Sequence, residues 1–377
     1  MVSLATMARF GTAVACSLAL TACGSSITLP VASPTPSAVG ADSAAADLRT
    51  HLDLLFGEHV FVVAKLSVAA AAGRKDEFHS YAGLLAVNGA DLTTLMRSAL
   101  GETQGGQFGQ VWMAGNNSYV DYLVAGVTQD QAKADAAKAN LADTYVPQMS
   151  QLLSASLSLS PQQATQVGAD QVSSFEQIID DAVAAGFTAL YPDLRRAYVK
   201  AIRAGDLVAD AILSRFADKF PGDGRTKSAD FRAILDTLLL EQAYLMTMAS
   251  DATIAGTPTE QAAAGDATAT NNTALASTLG GVLGNDARVQ ARQMWDQEAV
   301  LFIAYAKNGD SADRQNAIDT AAGLSNELQE ILQAVDDQRA KSFDKLAGDD
   351  RAAALMLAAA GDAITASAVK AVPAKFT

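Results

Sequence analysis

The chain has 377 residues, 50% hydrophobic and 18% charged, which is too apolar for a disordered polymer and long enough for two domains of ordinary size. Its formal charge of −14, with no basic stripe, argues against nucleic acid or an anionic lipid surface as a partner, because phosphate binding needs clustered cations that release counterions. About one residue in five is alanine and only 6% are aromatic, a bias toward helix formers that argues against an all-β fold.

Residues 1–22 read as a secretory leader. Arg9 supplies the positive start, and Phe10 to Leu20 form an apolar core too short to span a bilayer as a mature helix. The leader ends in Leu20-Thr21-Ala22-Cys23, which matches the lipobox of bacterial lipoproteins, where the cysteine is acylated and becomes the new N-terminus. Cys16 lies inside the leader, so the mature chain would keep Cys23 alone, and neither a disulfide nor a thiolate metal site is expected. Two or more acyl chains hold stably, since each buried methylene adds roughly 0.8 kcal/mol. Residues 23–46, rich in Ser, Pro, Ala and Gly with one charge at Asp42, are expected to form a disordered tether. The expected location is extracytoplasmic, with the membrane as a partner through the lipid anchor at Cys23, and with the outer membrane as carrier in a Gram-negative cell. No other apolar run reaches about 18 residues, so no further crossing is expected.

Beyond the tether the chain reads as one helical unit written twice. At an offset of 183 residues, Asp47, Arg49, Leu52, Asp53, Leu55 and Glu58 fall on Asp230, Arg232, Leu235, Asp236, Leu238 and Glu241. The register continues through Asn88 on Asn271, Trp112 on Trp295 and Tyr122 on Tyr305, and it pairs the chain's only two tryptophans. Near the end the offset falls to 156, where Ala204-Gly205-Asp206 matches Ala360-Gly361-Asp362, so the second copy is 27 residues shorter. The expected loss is most of the helix that begins at Pro161. The first copy is expected over 47–221 and the second over 230–376, with a linker over 222–229 opened by Pro221-Gly222-Asp223-Gly224.

Both copies carry helical periodicity. Leu48, Leu52, Leu55, His59, Val62 and Leu66 recur at steps of four and three, and Phe231, Leu235, Leu238, Gln242, Leu245 and Ala249 repeat the stripe. Further helices are expected near 75–100, 105–126, 129–156, 161–185 and 189–219, with Gly73, Gly101, Gly126 and Pro161 at the boundaries. Short connectors make neighbours antiparallel, so the expected fold is all-α, two tandem up-and-down bundles related by internal duplication. Each unit would hide about 70% of its unfolded surface, enough to stand alone.

The candidate site residues are polar or aromatic interruptions of these stripes. His59 and Gln242 stand at the same level of the two copies, and a buried polar group left unpaired costs about 1–3 kcal/mol, which predicts a core hydrogen bond, to Asn88 or Tyr122. The sharper alternative makes Glu58 and His59 the centre of a metal or cofactor site, but Gln242 replaces the histidine in the second copy, and an amide is a poor transition-metal ligand. With three histidines and no Glu-x-x-His, no di-iron, haem or zinc set assembles, and no cofactor is expected. Trp112 and Trp295 read as core anchors, with a ligand-facing aromatic wall as the rival role. Arg49 with Asp53, and Arg232 with Asp236, read as helix-supporting i,i+4 ion pairs on an exposed or half-buried face.

No G-x-S-x-G, H-E-x-x-H, P-loop or dinucleotide fingerprint occurs. An acid/base pair of Glu241 and Glu298 would require the two side chains to share a cleft. The segments Leu48-Arg49, Glu58-His59, Asp91-Leu92, Trp112, Tyr119-Val120-Asp121-Tyr122 and Ala209-Asp210-Ala211-Ile212 resemble a family of secreted bacterial proteins. Its members carry one or two such helical units and are often labelled copper-amine-oxidase-like. The resemblance covers nearly the whole mature chain and implies secretion and helical repeats, with no assigned activity for the unit. Where the family has inward histidines, this chain has Gly115, Glu298 and Ala204.

The sequence thus points to a membrane-anchored, extracytoplasmic lipoprotein without catalysis, binding a protein partner or a small apolar ligand. Glu58, His59, Asn88, Trp112, Tyr122, Glu241, Gln242 and Trp295 are its candidate ligand-binding residues.

Overall fold

The computed structural model describes residues 40–321 and 324–377. The leader over 1–22, the acylation site Cys23 and the tether as far as residue 39 lie outside the described residues. The rest is all-α, with no strand among the described residues.

The first half comprises α1 (Ala44–Ala71), α2 (Lys75–Leu100), α3 (Glu102–Thr128), α4 (Gln131–Asn140), a π-helical turn (Leu141–Tyr145), α5 (Val146–Leu157), α6 (Pro161–Val183) and α7 (Phe187–Arg215). The second comprises α8 (Lys227–Ala255), α9 (Pro258–Leu283), α10 (Asn285–Asn308), α11 (Ser311–Thr320), α12 (Ser325–Ala340) and α13 (Phe343–Ala371). The ends follow local chemistry. Ser43 Oγ caps α1 by accepting from the Ala46 N–H at 3.1 Å, and Thr226 Oγ1 caps α8 from the Ala229 N–H at 3.1 Å. Pro161 and the Ser160–Gln163 capping box open α6. Gly101 and Gly284 make the sharp turns between α2 and α3 and between α9 and α10 with φ of +88° and +96°, a region that disfavours any side chain.

Helix α1 therefore begins at Ala44, inside the stretch expected to be tether. Ala41 is buried, and its carbonyl accepts from Arg232, so the chain is docked before the first helix starts. The Pro161 helix is also not what the shorter half lacks. Tyr122 donates to Asp180 on α6, and Tyr305 donates to Asp336 on α12, so α12 stands where the later part of α6 stands. The missing length matches α5 and the start of α6.

The two halves share one core. Helices α1 and α8 pack against each other, α2 lies along α13, and α9 lies along α7, so each half completes the other. A single hydrophobic cluster runs from Leu48 to Phe376 through both halves. Both central helices are buried around nearly their whole circumference, as a helix apolar on all sides must be. By length and hydropathy α1 and α13 could cross a membrane, although shorter apolar runs had suggested otherwise. In the fold, 83% of the most apolar stretch of α1 and 50% of that of α13 is buried.

Reciprocal ion pairs lock the halves together. Arg49 Nε meets Asp206 at 2.6 Å and its Nη1 meets Asp230 and the Gly224 carbonyl; Arg232 meets Asp362, Asp47 and the Ala41 carbonyl. These arginines are 5% and 8% exposed, so the expected surface pairs with Asp53 and Asp236 are instead buried clamps between helices. Arg232 keeps a 3.6 Å contact to Asp236, whereas Arg49 has no ion pair with Asp53. Burial pushes the carboxyls of Asp53 and Asp236 well above the usual range, where Asp53 packs on Gly205 and Asp236 on Gly361.

Candidate functional site

The structure separates Glu58 from His59. Consecutive residues of a helix point about 100° apart, and the two side chains join different networks. Glu58 Oε2 accepts from Asn88 Nδ2 at 2.8 Å, and Oε1 accepts from Arg351 Nε at 3.0 Å and Tyr244 OH at 3.2 Å. Asn88 also donates to the Leu55 carbonyl at 3.0 Å, and Arg351 Nη2 reaches Asp91 at 2.5 Å. All five side chains are buried, so Glu58 is the acceptor that ties α1, α2, α8 and α13 together.

His59 instead bonds Asn116 through Nε2 at 2.9 Å and Gln171 through Nδ1 at 3.3 Å. The core hydrogen bond expected for it exists, but its partners are neither Asn88 nor Tyr122: Asn88 is held by Glu58, and Tyr122 is turned to Asp180. The imidazole packs on Trp112 and Phe175, and burial pushes its pKa down to about 3, so it is neutral in water near pH 7. His59, Phe56 and Phe175 form the floor of a cleft of about 300 Å³ between α1, α6 and α7, with Lys200, Arg203 and Asp170 nearer its mouth.

In the second half Gln242 accepts from Asn271 at 2.9 Å, and Glu241 is held by Arg195. Glu298 is buried elsewhere, its Oε1 lacking a partner among the described residues, and burial alone raises its pKa to about 8. No contact joins it to Glu241, so the two do not form an acid/base pair. Trp112 and Trp295 are 2% and 1% exposed and serve as core anchors. The eight candidate residues thus fall into several packed clusters and do not converge on one cavity.

A cavity larger than the His59 cleft lies where no candidate site was expected. The half-to-half contact is made twice, once by α2 and α13 over α1, and once by α9 and α7 over α8. The first seam is filled. Lys65, 3% exposed, meets Asp251 at 2.9 Å, Thr247 at 3.0 Å and Asp350, while Tyr81 donates to Asp350 at 2.7 Å. The four residues that correspond to Lys65, Tyr81, Asp350 and Ser80 at the second seam are Met248, Ala264, Leu194 and Ala263. Small α9 side chains leave this second seam open. A cavity of about 530 Å³ sits there, walled by Tyr191, Leu194, Leu245, Ala263 and Ala267, with Arg195 and Glu241 among its lining residues.

Two signals in the sequence could have found it. Lys65 is a lone charge within the apolar run Phe61 to Ala72, which marks a buried cation in need of carboxylates. Arg195 and Arg351 match at the 156 offset, as Glu241 and Glu58 match at 183, so the two cross-seam ion pairs were written in the register.

No group of three or more His, Cys, Asp or Glu among the described residues is arranged to hold a metal ion. Chemically, the seam offers a largely apolar cleft with one guanidinium and the carboxylates of Glu241 and Asp266, within the usual range of about 300–1,000 Å³ for small-molecule sites. No family model, no curated protein and no solved structure matches the chain.

Proposed function

We propose that this chain is a duplicated, lipid-anchored extracytoplasmic protein that works by binding a small, largely apolar ligand, without catalysis. The observation that carries the binding reading is the contrast between the two seams. One is filled by Lys65, Tyr81, Asp350 and Leu84; the other, with Ala267 in the place of Leu84, holds a cavity of about 530 Å³. A largely apolar cleft of this size at one of two corresponding places supports a ligand role, since small-molecule sites are concave and mostly apolar. The anchoring reading rests on the lipobox ending at Cys23, and the duplication reading on the matched residues and their reciprocal contacts.

The metal- or cofactor-binding alternative at Glu58 and His59 draws less support, because the Glu58 carboxylate already accepts three hydrogen bonds and both ring nitrogens of His59 have partners.

The test is titration of the protein with the uncharged apolar fluorophore N-phenyl-1-naphthylamine. The proposal expects saturable 1:1 binding that is lost in Ala267→Leu, which restores the filler of the other seam. No saturable binding, or binding untouched by Ala267→Leu, contradicts it. Radiolabelled palmitate should enter the wild-type chain in a lipoprotein-processing bacterial host and not the Cys23→Ser variant.

A further inference from the structure

We infer that the seam cavity selects apolar monocarboxylates, with Arg195 receiving the carboxylate; this rests on the cavity being a ligand site. Two arginines that match at the 156 offset differ in their partners. Arg351 spends its guanidinium on two carboxylates, Glu58 through Nε and Asp91 through Nη2. Arg195 has the first partner, Glu241, but Ala274 stands at the position that matches Asp91. Its hydrogen bonds to Glu241 and to Asn271, the latter at 3.2 Å, both leave from Nη1, so Nε and Nη2 have no acceptor among the described residues. The fork that grips a protein carboxylate at one seam is therefore left half-used at the other, beside the cavity.

The surroundings favour an amphiphile over a simple anion. Ala274 lies one helical turn beyond Thr270, the last α9 residue of the cavity wall, so a carboxylate placed where Asp91 sits at the other seam leaves the cavity free for an apolar tail. Leu194, Leu245, Ala263 and Ala267 surround that tail. Tyr191, on the same face of α7 one turn before Arg195, adds an aromatic side chain to the wall around that tail. Two carboxylates share the lining: Asp266 is exposed to water and screened by salt, and Glu241 is already paired with Arg195 through Nη1. Arginine suits the task because its planar donors meet a carboxylate in two parallel hydrogen bonds.

The experiment compares decanoate with decanol, an uncharged amphiphile of matched chain length, by calorimetry or by displacement of the fluorophore. Wild type should bind decanoate at least about tenfold more tightly than decanol, as a charge-assisted pair implies. Ala274→Asp installs the missing protein carboxylate and should bring decanoate down to the level of decanol, with decanol unchanged; Arg195→Gln should do the same, and Ala274→Asp keeps the test open if that variant fails to fold. Equal affinities in wild type, or a decanoate preference that survives Ala274→Asp, overturn the carboxylate assignment while leaving the cavity as an apolar site. Failure of both ligands and of the fluorophore to bind overturns the ligand reading itself.

Discussion

Arg351 donates to Glu58 across 3.0 Å, joining the last long helix of the chain to the first described one at a point where both side chains are buried. Through this pair and its counterpart, Arg195 with Glu241, each half of the chain neutralises a charge that the other half buries.

Removing one partner of such a pair leaves a charge without compensation in the interior. Glu58→Ala should destabilise the fold by about 3–5 kcal/mol, read as a shift in the urea unfolding midpoint at constant slope. The same truncation at Lys133, an exposed residue paired with Asp130, should change the midpoint little.

His59 couples stability to acid. Its pKa is pushed from 6.5 down to about 3 by burial, so between those values the unfolded chain binds a proton that the folded chain refuses. Stability from this group is intact above about pH 6.5 and falls as pH drops toward 3, by roughly 5 kcal/mol at full extent. Denaturation curves from pH 7 to 4 should show this slope in wild type and a flatter one in His59→Gln, which copies the residue of the second half. Parallel slopes would refute the assignment.

Glu298 has the opposite sign. Burial raises its pKa from 4.5 to about 8, so the folded state prefers the protonated form, and stability falls as pH rises through that interval. Glu298→Gln should be more stable than wild type at pH 7.5, by roughly 3–4 kcal/mol, and nearly equal to it at pH 4.5. The two pH dependences together predict that the double variant has the flattest profile between pH 4 and 8.

Helices α2 and α3 come close at Gly105, where an added Cβ would meet the backbone of Arg97 and Met96. Gly105→Ala should cost about 1–3 kcal/mol, since backbone cannot yield as a side chain can. Its neighbour Gly106 faces only the Arg97 guanidinium at 3.7 Å, so Gly106→Ala should be neutral or stabilising by up to about 1 kcal/mol through helix propensity. Thermal unfolding of the pair distinguishes a close helix approach from a general tolerance of alanine.

Helix class and most boundaries were legible because they depend on local signals. The α2 limits at Lys75 and Leu100, and the turns at Gly73 and Gly101, follow from periodicity and glycine alone. The burial of Arg49 was not legible in the same way. An Arg four residues before an Asp is the pattern of a surface pair, and only packing of α1 on α8 shows that Arg49 turns away from Asp53 to Asp206 and Asp230. The cavity was hidden for a related reason. Ala263 and Ala267 are unremarkable in an alanine-rich helix until Ser80 and Leu84 are seen filling the corresponding seam. Glu58 and His59 were correctly singled out as buried polar residues, but adjacency in sequence suggested a joint site that the helix geometry divides.

The shared core is tested most directly by expressing residues 40–221 and 222–377 as separate chains and following their unfolding alone and mixed. If the halves complete one another, neither fragment alone shows cooperative urea unfolding, and the equimolar mixture forms a 1:1 complex that regains it. Two fragments that each unfold cooperatively as monomers, and do not associate when mixed, would contradict the account.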